Sequence, residues 1–408
     1  MSSPKNPLKR KTVILVGDGM GDLPIAELGG LTPLEHVAIP ALDFVAAHGE
    51  LALLQTVPDG YPPGSDVANL SLLGYRPEEC YSGRAPLEAA SMGVALAECD
   101  IAFRCNLVTV DFVGDDRVTM VDYSAGHIST AEARVLIADL QKQLCKPGLN
   151  FYPGVSYRHL LVMAHGPEFL ATEPPHDHSG REVGEIWTRL VKSPLGETVL
   201  GAAAILAEHP VNLARIERGL KPANAIWLWG QGRAPAMASL RQQYGITGSL
   251  ISAVDLLKGI GVYAGLTTPT VEGATGYIDT NYQGKVTAAL TALESEDFVL
   301  IHVEAPDEAG HQGSLADKLT AIADFDAKVV APVLAGLQAA GAPFRLVVAM
   351  DHFTPLATRT HDRRPVPVAI YDSAGAFAPS GLGYSEKNAA ATGVFYASGA
   401  EFFARLMS

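Results

Sequence analysis

Residues 11–22 read KTVILVGDGMGD, and this stretch predicts the class of the fold. Lys11–Val16 is a continuous, largely apolar and β-branched run, which is typical of a strand buried on both faces of a parallel sheet. The run ends at Gly17, and Asp18 follows directly. In open α/β sheets the functional groups lie just past the carboxyl ends of the strands. Asp18 is therefore a candidate site residue, although an aspartate between glycines is also a common turn former.

The same alternation of strands and helices recurs along the chain. Further strands are predicted over Glu50–Thr56, Asp100–Asp111, Arg117–Asp122, Gly154–Ala164, Ala225–Gly230, Gly261–Tyr263, Phe298–Val303 and Phe344–Ala349. Helices are predicted over Pro40–His48, Thr130–Leu144, Thr198–Ala207, Gly284–Leu293 and Leu319–Ala340. The regular alternation of strands and helices is interrupted near Ile101 and resumes further along the chain. This pattern predicts one α/β core interrupted by an inserted domain. The expected domains are 1–100 and 221–408 for the core and 101–220 for the insertion.

Composition narrows the class of protein. The chain has 408 residues, 48% of them hydrophobic and 18% charged, as expected of an ordered globular protein with two or three domains. The net charge of −14, without any run of Lys and Arg, argues against nucleic acid as a partner. No stretch approaches about 18 apolar residues, so neither a membrane span nor a signal peptide is expected. The four cysteines lack CxxC spacing and are expected to be reduced thiols in the cytoplasm.

Pro62–Tyr75 reads PPGSDVANLSLLGY and predicts the start of a helix. Two prolines and a glycine end the preceding segment, and Ser65 takes the N-cap position before Val67, Leu70 and Leu73 at helical spacing. A helix N-terminus favours an anion such as phosphate. Because capping is the ordinary role of such a serine, Ser65 becomes a functional candidate only together with other clusters.

Clusters of Asp and His follow the predicted strands at the other end of the chain. Asp307 and His311 follow one strand and are four residues apart, so a helix starting at Asp307 places both on one face. The strand ending at Ala349 is followed by Asp351, His352 and His361. Mixed carboxylate and imidazole ligands suit Mn²⁺, Zn²⁺ or a similar divalent ion better than Ca²⁺. An isolated Asp–His pair is commonly found on a protein surface without any function. Together with Asp18 and Ser65, however, these clusters predict a metal site. Two ions about 3.5–4 Å apart form a clamp for phosphoryl displacement.

Longer motifs carry a family resemblance over nearly the whole chain. They are GDGMGD (17–22), PPGSDVANLSLLGY (62–75), SGRAPLEAASMG (82–93), FRCNLVTV (103–110), DYSAGHIST (122–130), PGVSYRHLL (153–161), VEAPDEAGHQG (303–313) and MDHFTP (350–355). On these motifs the chain resembles the archaeal-type cofactor-independent phosphoglycerate mutases of the alkaline phosphatase superfamily. It is most similar to a bacterial branch often labelled a proposed homoserine kinase. The resemblance implies an alkaline-phosphatase-like three-layer α/β core with a central, mostly parallel sheet, and an inserted smaller α+β cap domain.

The resemblance also implies roles for individual residues. Ser65 would be the nucleophile that becomes phosphoserine. One ion would be held by Asp18, Ser65, Asp351 and His352. The second ion would be held by Asp307, His311 and His361. The candidates for binding substrate phosphate and carboxylate are Arg84, Arg104, His127, Arg158 and His159. His127 is also the candidate general acid or base. Surface salt bridges for the arginines and a core hydrogen bond for His159 remain as alternatives.

The implied function is interconversion of 3-phosphoglycerate and 2-phosphoglycerate with two divalent ions and no 2,3-bisphosphoglycerate. Mn²⁺ is the preferred ion, with Zn²⁺, Mg²⁺ and Co²⁺ as alternatives. The expected partner is a small phosphorylated metabolite, with a homo-oligomer left open. A phosphotransferase or phosphatase acting on homoserine or another small hydroxylated metabolite is the alternative function, although no GxxxxGK[ST] loop is present to bind ATP. A non-catalytic, metal-binding regulatory protein is a third hypothesis, against which the intact set of ligands argues.

Two positions depart from the pattern of these relatives. Arg364 stands where an aspartate is usual, and Phe353 stands where a small hydroxyl residue is common. The arginine is expected either to make the charge near the second ion more positive and tune substrate choice, or to be a solvent-exposed exchange.

Overall fold

The structure, a computed structural model, describes residues 10–113 and 117–408. Its strands are β1 Lys11–Gly17, β2 Glu50–Leu54, β3 Asp100–Val113, β4 Arg117–Asp122, β5 Leu149–Val155, β6 Arg158–Ala164, β7 Ala225–Gly232, β8 Gly248–Ile251, β9 Phe298–Val303, β10 Phe344–Ala349, β11 Val366–Asp372 and β12 Phe395–Tyr396. Its α-helices are α1 Pro33–His36, α2 Pro40–His48, α3 Ser65–Leu72, α4 Pro77–Cys80, α5 Arg84–Ser91, α6 Thr130–Leu144, α7 Gly184–Val191, α8 Gly196–Ala207, α9 Pro210–Glu217, α10 Leu240–Tyr244, α11 Asp255–Tyr263, α12 Tyr282–Ala292, α13 Ala305–Gln312, α14 Leu315–Phe325, α15 Ala331–Ala340, α16 Glu386–Ala391 and α17 Gly399–Met407. Short 3₁₀ helices cover Ala26–Leu28 and Pro175–His178, and a π-helix covers Asp326–Val330.

The chain divides into two compact units. Unit 1 comprises the residues up to Tyr81 together with Ala236–Ser408, and unit 2 comprises Ser82–Pro235. The boundaries expected at 101 and 220 both fall inside unit 2. Unit 2 is longer at both ends because α5 packs against β3 and β7, and β7 pairs with β3.

Unit 1 contains a seven-stranded sheet in the order β12-β2-β11-β10-β1-β9-β8. The pairs β10–β1, β1–β9, β9–β8 and β12–β2 are parallel, and only β11 runs antiparallel to its neighbours. β9 and β10 are buried at every residue, and β1 is buried from Thr12 onward. This explains why these three strands are continuous apolar runs in the sequence. Helix α15 contacts both α2 and α12, and α3 contacts α11 and α17, so the sheet and its helices form the expected three-layer α/β core.

Four local predictions were wrong in detail. Gly261–Tyr263 is the last part of helix α11, because a short apolar run suits a buried helix as well as a strand. Gly154–Ala164 is a hairpin of β5 and β6 that turns at Ser156, whose φ is 54°. The long helix predicted from Leu319 to Ala340 contains the π-helix between α14 and α15. The N-cap of α3 is Gly64, and Ser65 is the first helical residue.

Unit 2 is built on an antiparallel sheet in which the long strand β3 pairs with β4, β6 and β7, and β6 pairs with β5. One face of β3 points Phe103, Cys105 and Leu107 into the main apolar core of the unit. On the other face, the α5 side chains of Ala85 and Ala89 pack with Ala102, Leu160 and Val162. Alternate residues of β3 and β6 therefore face different surroundings. Candidate site residues at successive positions of one strand therefore lie on opposite faces of the sheet.

Among the described residues, no single helix has the length and apolar composition needed to cross a membrane. The pair α7 and α8, bent by 115°, meets these criteria only when the two helices are taken together.

Asn212 gives a test of the packing of unit 2. Its buried side chain donates to the carbonyls of Leu206 and Ala223 at 2.8 Å each and accepts from the Ala223 N–H at 2.8 Å. Asn212→Ala leaves these buried groups without partners and should lower the free energy of unfolding by about 2 kcal/mol. Tryptophan fluorescence during denaturation measures this directly, because Trp187, Trp227 and Trp229 all lie in unit 2.

The matched control is Leu213→Ala, one residue further along α9, where the side chain is 48% exposed. This variant should change stability by less than about 0.5 kcal/mol. Equal stabilities of the two variants would contradict the role given to Asn212.

Candidate active site

Three adjacent strands place three carboxylates at one edge of the sheet in unit 1. β10, β1 and β9 are parallel neighbours, so their carboxyl ends lie together. Asp18 directly follows β1, Asp351 follows β10, and Asp307 lies in the first turn of α13 after β9. The apolar strands thus explain why carboxylates distant in sequence are close in space.

The first cluster joins Asp18, Asp351 and His352, whose candidate ligand atoms all lie within 4.8 Å of one another. His352 Nε2 is 3.5 Å from Asp18 Oδ1 and 3.4 Å from Asp351 Oδ2, and all three side chains are buried. Ser65 Oγ lies 3.2 Å from the same His352 nitrogen. We call Asp18, Asp351 and His352 the first triad, with Ser65 at its side.

The second cluster joins Asp307, His311 and His361 and meets the same 4.8 Å criterion. Asp307 is 3.2 Å from His311 Nε2 and 3.4 Å from His361 Nε2. His361 also stacks on His352 of the first triad, with ring centroids 3.9 Å apart. We call Asp307, His311 and His361 the second triad. All seven residues expected to hold metal, or to be the nucleophile beside it, are therefore neighbours in the structure.

The position of Ser65 as first residue of α3 matters for its chemistry. Gly64, with φ −177° and ψ 152°, is the extended N-cap, and no side chain makes a cap hydrogen bond. Ser65 Oγ therefore points to His352 instead of capping its own helix. The helix N-terminus also brings the positive end of the α3 dipole to the hydroxyl, which favours an anion bound there.

The first triad fits a divalent cation. Asp18 Oδ1 is buried and has no hydrogen-bond partner. Burial and the nearby carboxylates of Asp351 and Asp307 raise the pKa of Asp18 well above its ordinary value. A cation would supply both the missing partner and the missing positive charge, and two carboxylates with an imidazole form a donor set used for Mn²⁺ or Zn²⁺.

The second triad carries a different electrostatic pattern. Burial alone would raise the pKa of Asp307, but hydrogen bonds from His311 and His361 outweigh it and hold this pKa well below the ordinary value. In return, the hydrogen bond to Asp307 raises the pKa of His311 to about 9. In the metal-free protein a proton on His311 thus takes the place of a cation, and the donor set of one carboxylate and two imidazoles suits a divalent ion.

Three further residues support the triads and were not identified from the sequence. Asn69 donates to the Ser65 carbonyl at 2.8 Å and to Asp351 at 3.1 Å. The Thr354 hydroxyl donates to Asp307 and lies 3.3 Å from His352 Nδ1. His302 Nε2 lies 2.9 Å from Asp18.

His302 is held as a neutral ring beside Asp18. Burial lowers the pKa of His302 to about 3, so the 2.9 Å contact with Asp18 is a hydrogen bond and not an ion pair. Ser252 Oγ lies 3.3 Å from the other ring nitrogen. A histidine inside the apolar run of β9 is the sequence signal that could have identified it, since lone polar residues in buried strands need partners.

Phe353 and Arg364, the two residues that depart from the family pattern, contact each other. The Arg364 guanidinium lies 5.4 Å from the ring centroid of Phe353 and 2.8 Å from Asp362. The Phe353 ring packs against Gly21, where a Cβ would come within 2.6 Å of the ring. The Arg364 side chain is 44% exposed, is paired with Asp362 and lies over the Phe353 ring.

Four of the five substrate candidates lie in a patch of basic and aromatic residues in unit 2. The Arg104 guanidinium lies 4.0 Å from the ring centroid of Trp229 and bonds Glu88 at 3.0 Å. Arg84 and Arg104 both lie beside Gly230, and Arg158 on β6 pairs with Asn106, two residues beyond Arg104 on β3. Burial and the charges of Arg84 and Arg158 lower the pKa of Arg104, against the effect of Glu88.

Aromatic contacts continue the patch from Trp229 to the fourth candidate. The His176 ring lies 5.6 Å from Trp229 and 6.2 Å from Tyr123. Tyr123 and Tyr157 each lie 6.4 Å from the exposed ring of His127. His176 was visible in the sequence only as part of a Pro-rich loop and was not singled out.

His159 does not join this patch. It is buried, its position on β6 alternates with that of Arg158, and its Nδ1 accepts from the Gly154 N–H at 3.0 Å. Burial lowers the pKa of His159 to about 3. The geometry corresponds to the alternative stated from the sequence, a core hydrogen bond that holds the β5–β6 hairpin.

The protonated state of His311 predicts how metal binding depends on pH. Below its pKa of about 9 the ring carries a proton that a cation must displace. The Mn²⁺ affinity of the second triad should therefore rise by about tenfold per pH unit from pH 7 to about 9 and then level off. Anaerobic Mn²⁺ titration of the metal-stripped protein, followed by electron paramagnetic resonance, measures this slope. The slope should disappear in His311→Ala, and an affinity independent of pH above 7 in the parent protein would contradict the assignment.

Comparisons with known proteins identify the family. The family model of the 2,3-bisphosphoglycerate-independent phosphoglycerate mutases matches residues 46–212. The chain is 53% identical over 377 residues to the protein of that name from Methanosarcina barkeri, covering 90% of this chain and 93% of the relative. It is 51% identical over 392 residues to the probable 2,3-bisphosphoglycerate-independent phosphoglycerate mutase of Geobacter sulfurreducens, covering 94% and 96%.

Solved structures match as well. A protein from Pyrococcus horikoshii aligns with a TM-score of 0.80 and 28% identity over 98% of this chain and 97% of its own. The cofactor-independent phosphoglycerate mutase of Thermoplasma acidophilum aligns with a TM-score of 0.65 and 23% identity, covering 98% of this chain and all of the other, which supports the fold. The predicted α/β fold and the predicted family are both confirmed. The chain belongs to the family of the 2,3-bisphosphoglycerate-independent phosphoglycerate mutases.

Proposed function

We propose that this protein interconverts 3-phosphoglycerate and 2-phosphoglycerate, an isomerisation of glycolysis, through a phosphoserine on Ser65 and without 2,3-bisphosphoglycerate. The observation that carries the proposal is the placement of Ser65. Its hydroxyl lies at the start of α3 and 3.2 Å from His352, beside two triads that suit divalent cations. Relatives about half identical over nearly the whole chain, named as such mutases, support it.

Each triad is proposed to hold one divalent ion, with Mn²⁺ preferred. Asp18, Asp351, His352 and Ser65 would hold one ion, and Asp307, His311 and His361 would hold the other. When bound, such ions lower the pKa of a coordinated hydroxyl and neutralise charge on a transferring phosphoryl group. Asn69 holds the Ser65 backbone against Asp351 and so orients the hydroxyl.

The proposed reaction has two balanced transfers. In the first, Ser65 Oγ bonds to phosphorus, the bond from phosphorus to the 3-oxygen of the substrate breaks, and the serine proton ends on that oxygen. In the second, the 2-oxygen of glycerate bonds to phosphorus, Ser65 Oγ leaves, and the proton of the 2-hydroxyl returns to Ser65. Exclusion of water is required, because water attacking the phosphoserine would release phosphate.

The basic side chains of unit 2 are proposed as substrate-binding residues. Arg84, Arg104 and Arg158 are the groups suited to its carboxylate and phosphate, because guanidinium forks match both. Trp229 and Glu88 fix the orientation of Arg104. His127, exposed in the patch, is proposed as the general acid or base that carries the hydroxyl proton. The cytoplasm is the proposed location, and the four cysteines are free thiols.

Ser65→Ala tests the proposal. Conversion of 3-phosphoglycerate, coupled to enolase with Mn²⁺ and without 2,3-bisphosphoglycerate, should be robust in the parent protein and stop when a chelator removes the metal. Ser65→Ala should lose on the order of 10⁴-fold or more in kcat, as expected of a covalent nucleophile. Phosphoserine detected by mass spectrometry should disappear with it.

Ser71→Ala, on the same helix, is the matched control and should retain both the activity and the phosphoserine. Activity that survives in Ser65→Ala would contradict the proposal. Phosphorylation of Ser65 by another donor, with no 2-phosphoglycerate formed, would overturn the mutase assignment and favour transfer to another acceptor.

A further inference from the structure

We propose that Lys318, which belongs to neither triad, is a positioning residue that holds the ligand loops of both triads in their metal-binding geometry. Lys318 lies on α14 and is completely buried. Its Nζ donates to the Gly21 carbonyl at 3.1 Å, to Asp22 Oδ2 at 2.8 Å and to the Thr354 carbonyl at 2.7 Å. These three acceptors use all three N–H donors of an ammonium group, so the side chain is a cationic junction with fixed geometry.

Two of the acceptors lie on the loops that carry the first triad. Gly21 is three residues beyond Asp18, and Thr354 is two residues beyond His352. The Gly21 carbonyl also accepts from the Thr354 N–H at 3.2 Å. Lys318 therefore reinforces the point at which the loop after β1 meets the loop after β10.

Thr354 extends the connection to the second triad. Its hydroxyl donates to Asp307 and lies 3.3 Å from His352 Nδ1. Asp307 belongs to the second triad and His352 to the first. Fixing the backbone of Thr354 thus fixes one ligand of each triad through a single side chain. Outer partners that orient metal ligands in this way typically change metal affinity by about 10–100-fold when removed.

Asp22 balances the charge of Lys318 inside the same loops. Its carboxylate accepts from Lys318 and, at 3.1 Å, from the Leu356 N–H. Replacing both members of a buried ion pair by neutral residues is far less disruptive than removing one, which leaves a buried charge unpaired. The double variant Lys318→Met/Asp22→Asn therefore removes the junction with the least harm to folding.

A second buried ion pair in unit 1 provides a matched control. Arg345 Nε lies 2.8 Å from Asp372, and both side chains are buried. Arg345 lies near the start of β10, so this pair lies at the opposite end of that strand from the triads. Arg345→Met/Asp372→Asn removes a buried ion pair that touches no ligand loop; Asp372 also lies 3.4 Å from the partly exposed Arg10.

The test measures Mn²⁺ binding by the full, metal-stripped chain with electron paramagnetic resonance. The Tm of each variant is measured in parallel by circular dichroism. The inference rests on the proposed function only in requiring that the triads bind divalent ions. Lys318→Met/Asp22→Asn should weaken Mn²⁺ binding at both triads by about 10–100-fold. Arg345→Met/Asp372→Asn should leave Mn²⁺ affinity unchanged, whatever its effect on Tm.

Unchanged Mn²⁺ affinity in the Lys318 pair variant, or equal loss in both pair variants, would overturn the inference. No Mn²⁺ binding by the parent protein would instead overturn the metal assignment in the proposed function. If the Lys318 pair variant does not fold, Thr354→Val and Thr354→Ser test the part of the connection that runs from the Thr354 hydroxyl to Asp307 and His352. Thr354→Val should weaken Mn²⁺ binding and Thr354→Ser should restore it, and equal affinities of these two variants would contradict the connection.

Discussion

The constraint on which this structure depends is the burial of three carboxylates at one edge of a parallel sheet. Asp18, Asp307 and Asp351 come from the ends of three neighbouring strands, so the topology brings them together whatever their charge. Buried like charges repel one another strongly in a medium of low dielectric constant. Burial and, after it, repulsion from Asp351 and Asp307 raise the pKa of Asp18 well above its ordinary value. A cluster of three buried carboxylates is stable only when bound cations, or protons on the cluster or its neighbours, compensate its negative charge.

The rest of the site can be understood as that compensation. Each triad adds imidazole donors, and in the metal-free state the proton on His311 supplies positive charge. Neutral His302 shares a hydrogen bond with one oxygen of Asp18, and the other oxygen has no hydrogen-bond partner. Lys318 and Asp22 bring a balanced pair to the loops that carry the ligands. The start of α3 then places Ser65 where the same cations would activate its hydroxyl.

Sequence analysis predicted the parts of this structure that depend on local pattern. The buried strands were visible as apolar runs, and the ligands were visible because each follows such a run. Ser65 was found for a partly wrong reason, since Gly64 is the N-cap and the serine hydroxyl is directed to His352. Gly261–Tyr263 was assigned to a strand because three apolar or small residues do not distinguish a strand from the end of a helix.

Asn69, Thr354 and Lys318 could not be assigned from the sequence, because their roles depend on which loops meet in three dimensions. The same holds for His159, which shares a motif with Arg158 but points to the other face of the strand.

The central claim is that the two triads are two cation sites that flank Ser65. Anomalous X-ray diffraction from crystals soaked in Mn²⁺ tests it most directly, because Mn²⁺ scatters anomalously and its position is read without reference to the protein model. The account predicts two peaks, one coordinated by Asp18, Asp351, His352 and Ser65, and the other by Asp307, His311 and His361. A single peak, or Mn²⁺ bound away from these residues, would contradict it.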